Sequence, residues 1–285
     1  MQKYRTWLDM GNITAERARR ALPILVRQAH SRTPITYKAL SRELEMKHHR
    51  PVAIVAGYAG LTVKSLADEK TWTMPPPPPL QALVINGDDL FPGDGIDSFM
   101  TEAYRQAKTR RQKEAALNGV YSEIFSYPYW KNVLDFLHIA PAENHFDALV
   151  AEAVETKGRG GEGPEHAALK QYIASRPEIL GLARTRVQVK PEFKIASGDR
   201  VGIVFEFSNL KVAVEIKSHI SSVGDIARGF FQCVKYREIL KVQSDLSNNP
   251  YDVDTILALG SKLPPKLIPL KNALGINVID DLGKH

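Results

Sequence analysis

Glu215, Ile216 and Lys217 end an apolar run, Val212-Ala213-Val214, and are followed by Ser218. Alternation along a strand puts Val212, Val214 and Ile216 on one face and Ala213, Glu215 and Lys217 on the other. A carboxylate and an ammonium group then stand side by side at a strand end. A carboxylate offers hard oxygen ligands to a cation such as Mg²⁺, and an ammonium offsets the charge of a bound anion. Taken alone, an E-x-K phrase reads as an exposed ion pair, which is common and contributes little. Its neighbours along the chain change that balance.

Those neighbours form an α/β arrangement. Pro164 suits the first turn of a helix that ends near 175–177, with Glu165 in that turn, where a carboxylate also complements the helix dipole. Strands are expected over 186–193 and 200–207, with a turn over 196–199 and Ser208-Asn209 leading into the strand that carries Glu215. A helix is expected over 223–240. It carries Gln232 and Tyr236, whose spacing of four puts them on one face; ordinary helix surface would show the same spacing. A strand over 255–259 and a helix over 264–274 complete the set.

The order of Glu165 on a helix, Asp199 in a turn, Glu215-Ile216-Lys217 on a strand and Gln232-Cys233-Val234-Lys235-Tyr236 on a helix resembles the PD-(D/E)XK nuclease superfamily. The Q-x-x-x-Y helix is similar to the RecB-like branch, and the resemblance covers roughly 160–260. It implies a restriction-endonuclease-like αβββαβ core and Mg²⁺-dependent (or Mn²⁺-dependent) hydrolysis of phosphodiester bonds in nucleic acid, DNA by analogy. It implies Glu215 as a metal ligand and Lys217 as the group that orients or helps deprotonate the attacking water. Glu165 would reach the metal from its helix, and Gln232 and Tyr236 would order the site. A role in bacterial defence or DNA processing fits, and a homodimer would suit double-strand cleavage. The family's second motif departs here. Ser197-Gly198-Asp199-Arg200-Val201-Gly202-Ile203 has Gly202 where the principal metal-binding Asp is expected, and glycine contributes no ligand. Three alternatives stay open: Asp199 takes the role, the protein binds nucleic acid without cutting it, or Gly202 replaces a natural Asp.

At 285 residues the chain has material for more than one domain, and 44% hydrophobic with 25% charged residues is a globular composition. A net charge of +6 and a pI near 9.2 fit a polyanionic partner without requiring one. A single cysteine, Cys233, excludes an internal disulfide framework and a thiolate zinc site. The N-terminus lacks a signal-like apolar run and no stretch reaches membrane-span length, which points to a cytoplasmic protein. Three regions are expected: 1–100, a nucleic-acid-binding domain; 101–157, a helical connector; and 158–285, the nuclease-like domain, with the Gly-rich joint 157–163 between the last two.

In the first region, Thr14 is expected to cap a helix over 15–30 that Pro23 interrupts or kinks. Helices over about 38–44 and 52–67, the five-proline run Pro75 to Pro79, a strand over 80–86 and the loop Phe91-Pro92-Gly93 follow. This part resembles the winged-helix DNA-binding portion of alkyltransferase-like proteins, without their reactive-cysteine motif. Lys47 and Arg50 there, and Arg110 and Arg111 in the connector, are candidate nucleic-acid contacts. The aromatics from Tyr121 to Trp130 read foremost as core, and otherwise as stacking groups beside the basic run.

Overall fold

A computed structural model describes residues 6–143, 146–155, 163–183 and 185–283. The chain divides into two compact units, Met1–Glu143 and Asn144–His285. Residues 157–162 of the expected joint lie outside the described residues. Among the described residues, no helix is long and apolar enough to cross a membrane.

The first unit is mainly helical. Helix α1 (Ile13–His30) buries Ala18, Leu22, Leu25 and Ala29, the spacing of one helical stripe. Its cap is Asn12, not Thr14: the Asn12 side chain accepts from the Ala15 N–H at 2.9 Å, while Thr14 is already within the helix. Pro23 lies inside α1 without ending it, flanked by the fully buried Leu22 and Leu25, whose packing holds the helix together across the lost hydrogen bond. Strand β1 (Ile35–Thr36), α2 (Tyr37–Glu43) and α3 (Val52–Ser65) follow. Glu43 grips the buried Arg27 in a bidentate pair, at 2.5 and 2.9 Å. The strand expected over 80–86 is short. Leu80–Leu83 forms a buried 3-10 turn, and only Val84–Ile85 (β2) pairs, in parallel, with β1. Helices α4 (Glu102–Arg105), α5 (Arg110–Ser126) and α6 (Trp130–Phe136) complete the unit. Trp130 is fully buried, donating to the Ile124 carbonyl at 2.8 Å, and Tyr121, Phe125 and Tyr127 pack on the same core.

The second unit opens with α7 (Phe146–Glu155), which falls within the expected helical connector 101–157, ahead of α8 (Pro164–Ser175). Strands β3 (Gln188–Lys194), β4 (Arg200–Glu206) and β5 (Leu210–Lys217) run antiparallel in that order. Helix α9 (Val223–Asp245) then carries the chain over to β6 (Asp252–Leu259), which lies parallel to β5. A 3-10 turn and α10 (Ile268–Leu274) lead to β7 (Asn277–Ile279), parallel to β6, so the mixed sheet has the order β3-β4-β5-β6-β7.

The alternation of β5 divides the core as its sequence dictates. Val212, Val214 and Ile216 meet Leu169 and Ile173 of α8. On the opposite face, Ala213 packs with Tyr236 and Leu240 of α9, and Leu257 with Phe230 and Cys233. Two glycines allow α9 to come close. A Cβ on Gly224 would lie 2.7 Å from the Glu152 carbonyl oxygen on α7, and one on Gly229 would lie 2.8 Å from Leu257 Cδ1 and 3.1 Å from Lys217 Cε.

Candidate functional site

Glu215 and Lys217 point toward α9 and are buried, with 8% and 6% of their surface exposed, so this is no solvated ion pair. An ammonium has three protons to donate. Lys217 Nζ has three acceptors: Glu215 Oε1 at 3.0 Å, Asp225 Oδ1 at 3.2 Å and Gln232 Oε1 at 3.2 Å. The Gln232 amide donates onward to the Tyr236 hydroxyl at 3.3 Å, which donates to the Arg200 carbonyl at 3.3 Å. One polarised chain thus runs from the end of β5 across α9 to the start of β4, and it fixes the Gln232 amide with its oxygen toward Lys217.

These groups line a cavity of about 630 Å³. Arg200 and Arg228 also line it, as do His166 and Glu192. His166 Nε2 lies 3.2 Å from the Ile216 carbonyl, tying α8 to the strand, and Lys170 holds Glu192 at 2.7 Å. Burial pushes the Glu215 carboxyl above the ordinary carboxylate range, against the pull of the Lys217 ammonium. The Tyr236 hydroxyl is raised as well, by burial and then by the Glu215 charge, so it stays protonated and able to donate.

Of the residues singled out from sequence, Glu215, Lys217, Gln232, Tyr236 and Gly202 line this cavity together. Glu165 does not; it is exposed and lines a neighbouring cavity beyond α8. Asp199 sits in the β3–β4 turn, accepting from Lys235 at 2.8 Å and Ser197 at 2.5 Å, and those bonds hold its carboxyl below the ordinary range. Asp225, Arg228, His166, Glu192 and Arg200 were not singled out as site residues. Asp225 and Arg228 had a signal, since both stand one to two turns ahead of Gln232 on the same helix.

In the first unit Lys47, Arg50 and Arg111 are exposed, and Arg50 lines a separate cavity with Tyr37 and Lys38. Arg110 is tied down locally, bonded to Glu114 at 2.8 Å and to the Asp89 carbonyl at 3.1 Å, and stacked 5.2 Å over Phe91.

Gly202 marks an irregularity in the sheet. Val201 and Val204 both join the α9-side core, while Ile203 and Phe205 join the α8-side core, which strict alternation forbids. Opposite, Glu192 has a φ of +50°, unusual for a side-chain-bearing residue. A Cβ on Gly202 would lie 3.3 Å from the Val214 carbonyl oxygen and 3.6 Å from Ile216 Cδ1, on the side of Ile216.

Among the described residues, no group of three His, Cys, Asp or Glu side chains is placed to hold a metal ion. The carboxylates nearest to doing so, Glu215 and Asp225, both face the Lys217 ammonium. The donor set does not fit a divalent cation held by three protein side chains.

The chain has no significant match to protein-family models, to curated proteins or to solved structures.

Proposed function

We propose that this is a nucleic-acid-processing protein of nuclease type, with a restriction-endonuclease-like second unit that engages phosphodiester groups in the Lys217 cavity. The carrying observation is the ammonium of Lys217 bound at once by Glu215, Asp225 and Gln232. That ammonium stands between two carboxylates, the position a hard cation would take. With Gly202 lending no side chain, the chain binds nucleic acid and hydrolyses it poorly. Arg200 and Arg228 supply positive charge for a phosphate. The first unit, read as a winged-helix DNA-binding domain, adds exposed basic residues for backbone contacts.

A titration of Mg²⁺- and Mn²⁺-dependent cleavage on single- and double-stranded DNA and on RNA tests this, with the chain and its Gly202→Asp variant side by side. Binding without efficient cleavage by the parent is expected. Restored cleavage by Gly202→Asp would mark the site as a nuclease centre lacking one ligand. A second reading is favoured by one observation: Asp225 shares the cavity with Glu215, and Mg²⁺ often takes only one or two protein carboxylates. In that case the parent cuts efficiently and Asp225→Asn abolishes cutting.

A further inference from the structure

Helix α8 presents successive residues to two different cavities. His166 faces the Lys217 cavity, while Glu165, Tyr172 and Arg176 line a second cavity of about 600 Å³. Ser218, directly after the strand that carries Lys217, lines both, so the two cavities share a wall. In the second, the Arg176 guanidinium lies 4.6 Å over the Tyr172 ring. An arginine stacked on an aromatic ring offers a flat, cationic surface rather than a point charge.

Gly260 and Gly283 line this cavity beside the apolar residues Ala168, Leu169 and Leu282. Gly260 donates to the Lys217 carbonyl at 2.8 Å, and Gly283 donates to the Gly260 carbonyl at 2.9 Å. Neither position has room for a side chain: a Cβ would lie 2.7 Å from the His219 nitrogen at Gly260 and 2.4 Å from the Gly260 oxygen at Gly283. The lining combines small and apolar groups, a stacked wall, and hydrogen-bonding groups from Glu165 and His219. Such a slot suits a planar heterocycle with polar edges. Ile220, 66% exposed, stands on the rim of the first cavity, within the same short loop as Ser218 and His219.

We propose that the second cavity is a base-stacking subsite, taking the base of an unpaired nucleotide next to the phosphate held in the Lys217 cavity. This rests on the phosphate reading of that cavity and names its substrate class as single-stranded nucleic acid. A base in a duplex is stacked on both faces and cannot enter; an unpaired base can, as base–aromatic and base–arginine stacking is tolerant of sequence. The exposed Ile220 side chain is an apolar wedge that helps separate the entering base from its neighbour.

The test is equilibrium binding by fluorescence anisotropy with two probes, a short single-stranded oligonucleotide and the same backbone with abasic sites throughout. The parent is expected to prefer the base-bearing strand by about ten-fold, in line with one stacked base. Tyr172→Leu with Arg176→Lys, which keeps the positive charge but removes both flat surfaces, should abolish that preference while weakening abasic-strand binding far less than base-bearing-strand binding. Arg176→Ala, at an exposed position where folding is not at stake, should reduce it about three-fold. Lys217→Met should weaken both probes alike. No preference in the parent, or full preference retained by the Tyr172 and Arg176 variants, overturns the subsite. Unchanged binding of both probes by Lys217→Met overturns the phosphate site instead.

Discussion

Replacing Lys217 with Met asks what the ammonium does. Methionine keeps most of the apolar stem and removes the charge from between Glu215 and Asp225. At 3.0 and 3.2 Å, each ion pair is on the order of 5 kcal/mol of direct attraction at an effective dielectric of about 20. Desolvation offsets most of that, but removing one partner of a buried pair still costs about 3–5 kcal/mol, because the other charge is left buried. Glu215 has a way out. Its carboxyl is already raised by burial, and without Lys217 opposing that effect it rises further. An acid whose folded-state pKa lies above its unfolded value destabilises the fold once pH exceeds the unfolded pKa, fully so above the folded one. The Lys217→Met penalty should therefore be small near the ordinary carboxylate range and grow as pH rises above it. With the ammonium gone, two carboxylates face one gap, and a divalent cation should fill it. Millimolar Mg²⁺ should raise the melting temperature of the variant and leave that of the parent unmoved, since a ligand at a hundred times its dissociation constant contributes about 2.7 kcal/mol. Urea unfolding across pH, with and without Mg²⁺, reads all of this. A variant within about 0.5 kcal/mol of the parent at every pH, and indifferent to Mg²⁺, would refute the placement of the ammonium as the resident cation.

Three further outcomes are expected. Gly229→Ala gains about 1 kcal/mol of helix propensity but forces a methyl against Leu257 and the Lys217 stem, so it should lower both stability, by about 1 kcal/mol net in urea unfolding, and nucleic-acid affinity; a more stable variant with intact binding would contradict the packing. Burial alone would raise the Glu206 carboxyl, but Lys190 and Lys211 hold it below the ordinary range, so the stability it contributes is present above about pH 4.3 and lost as pH falls through its lowered pKa; Glu206→Gln should flatten that acid limb in a pH series of melting curves. Neutralising Lys47, Arg50 and Arg111 together should weaken DNA binding and reduce its salt slope by up to about three counterions, whereas Arg110, already engaged with Glu114 and Asp89, should matter less when changed alone.

The central strand was legible because a period of two needs no tertiary information: Val212, Val214 and Ile216 went to one core and Ala213 to the other. The four-residue spacing of Gln232 and Tyr236 was equally readable, and their hydrogen bond follows from it. Glu165 shows where such reading stops. Adjacent helical residues point about 100° apart, so the same helix turns His166 to one cavity and Glu165 to another, a distinction that the resemblance which singled out the acid does not carry. Asp225 is the converse case, an acidic residue eight positions after Lys217 that reaches its ammonium only because α9 folds back over the strand. Short elements fared worst. Strand β7 is three residues long and exists through its pairing with β6, and Leu80–Leu83 looks like a strand in sequence but forms a buried 3-10 turn.

Gly202 and Lys217 belong to one account of the cavity. Gly202 lines the cavity with Glu215, but a Cβ built on it would meet the Val214 carbonyl and Ile216 first. An aspartate there would need that carbonyl to give by a few tenths of an ångström before its carboxylate could approach Glu215, and regular pairing of β4 with β5 would have to extend past Ile203 and Val214, where it now stops. A third carboxylate in the cavity would also raise the pKa of its neighbours unless a cation joined them. With glycine in place, the strand shift is not required, and the Lys217 ammonium is shared by the two carboxylates Glu215 and Asp225.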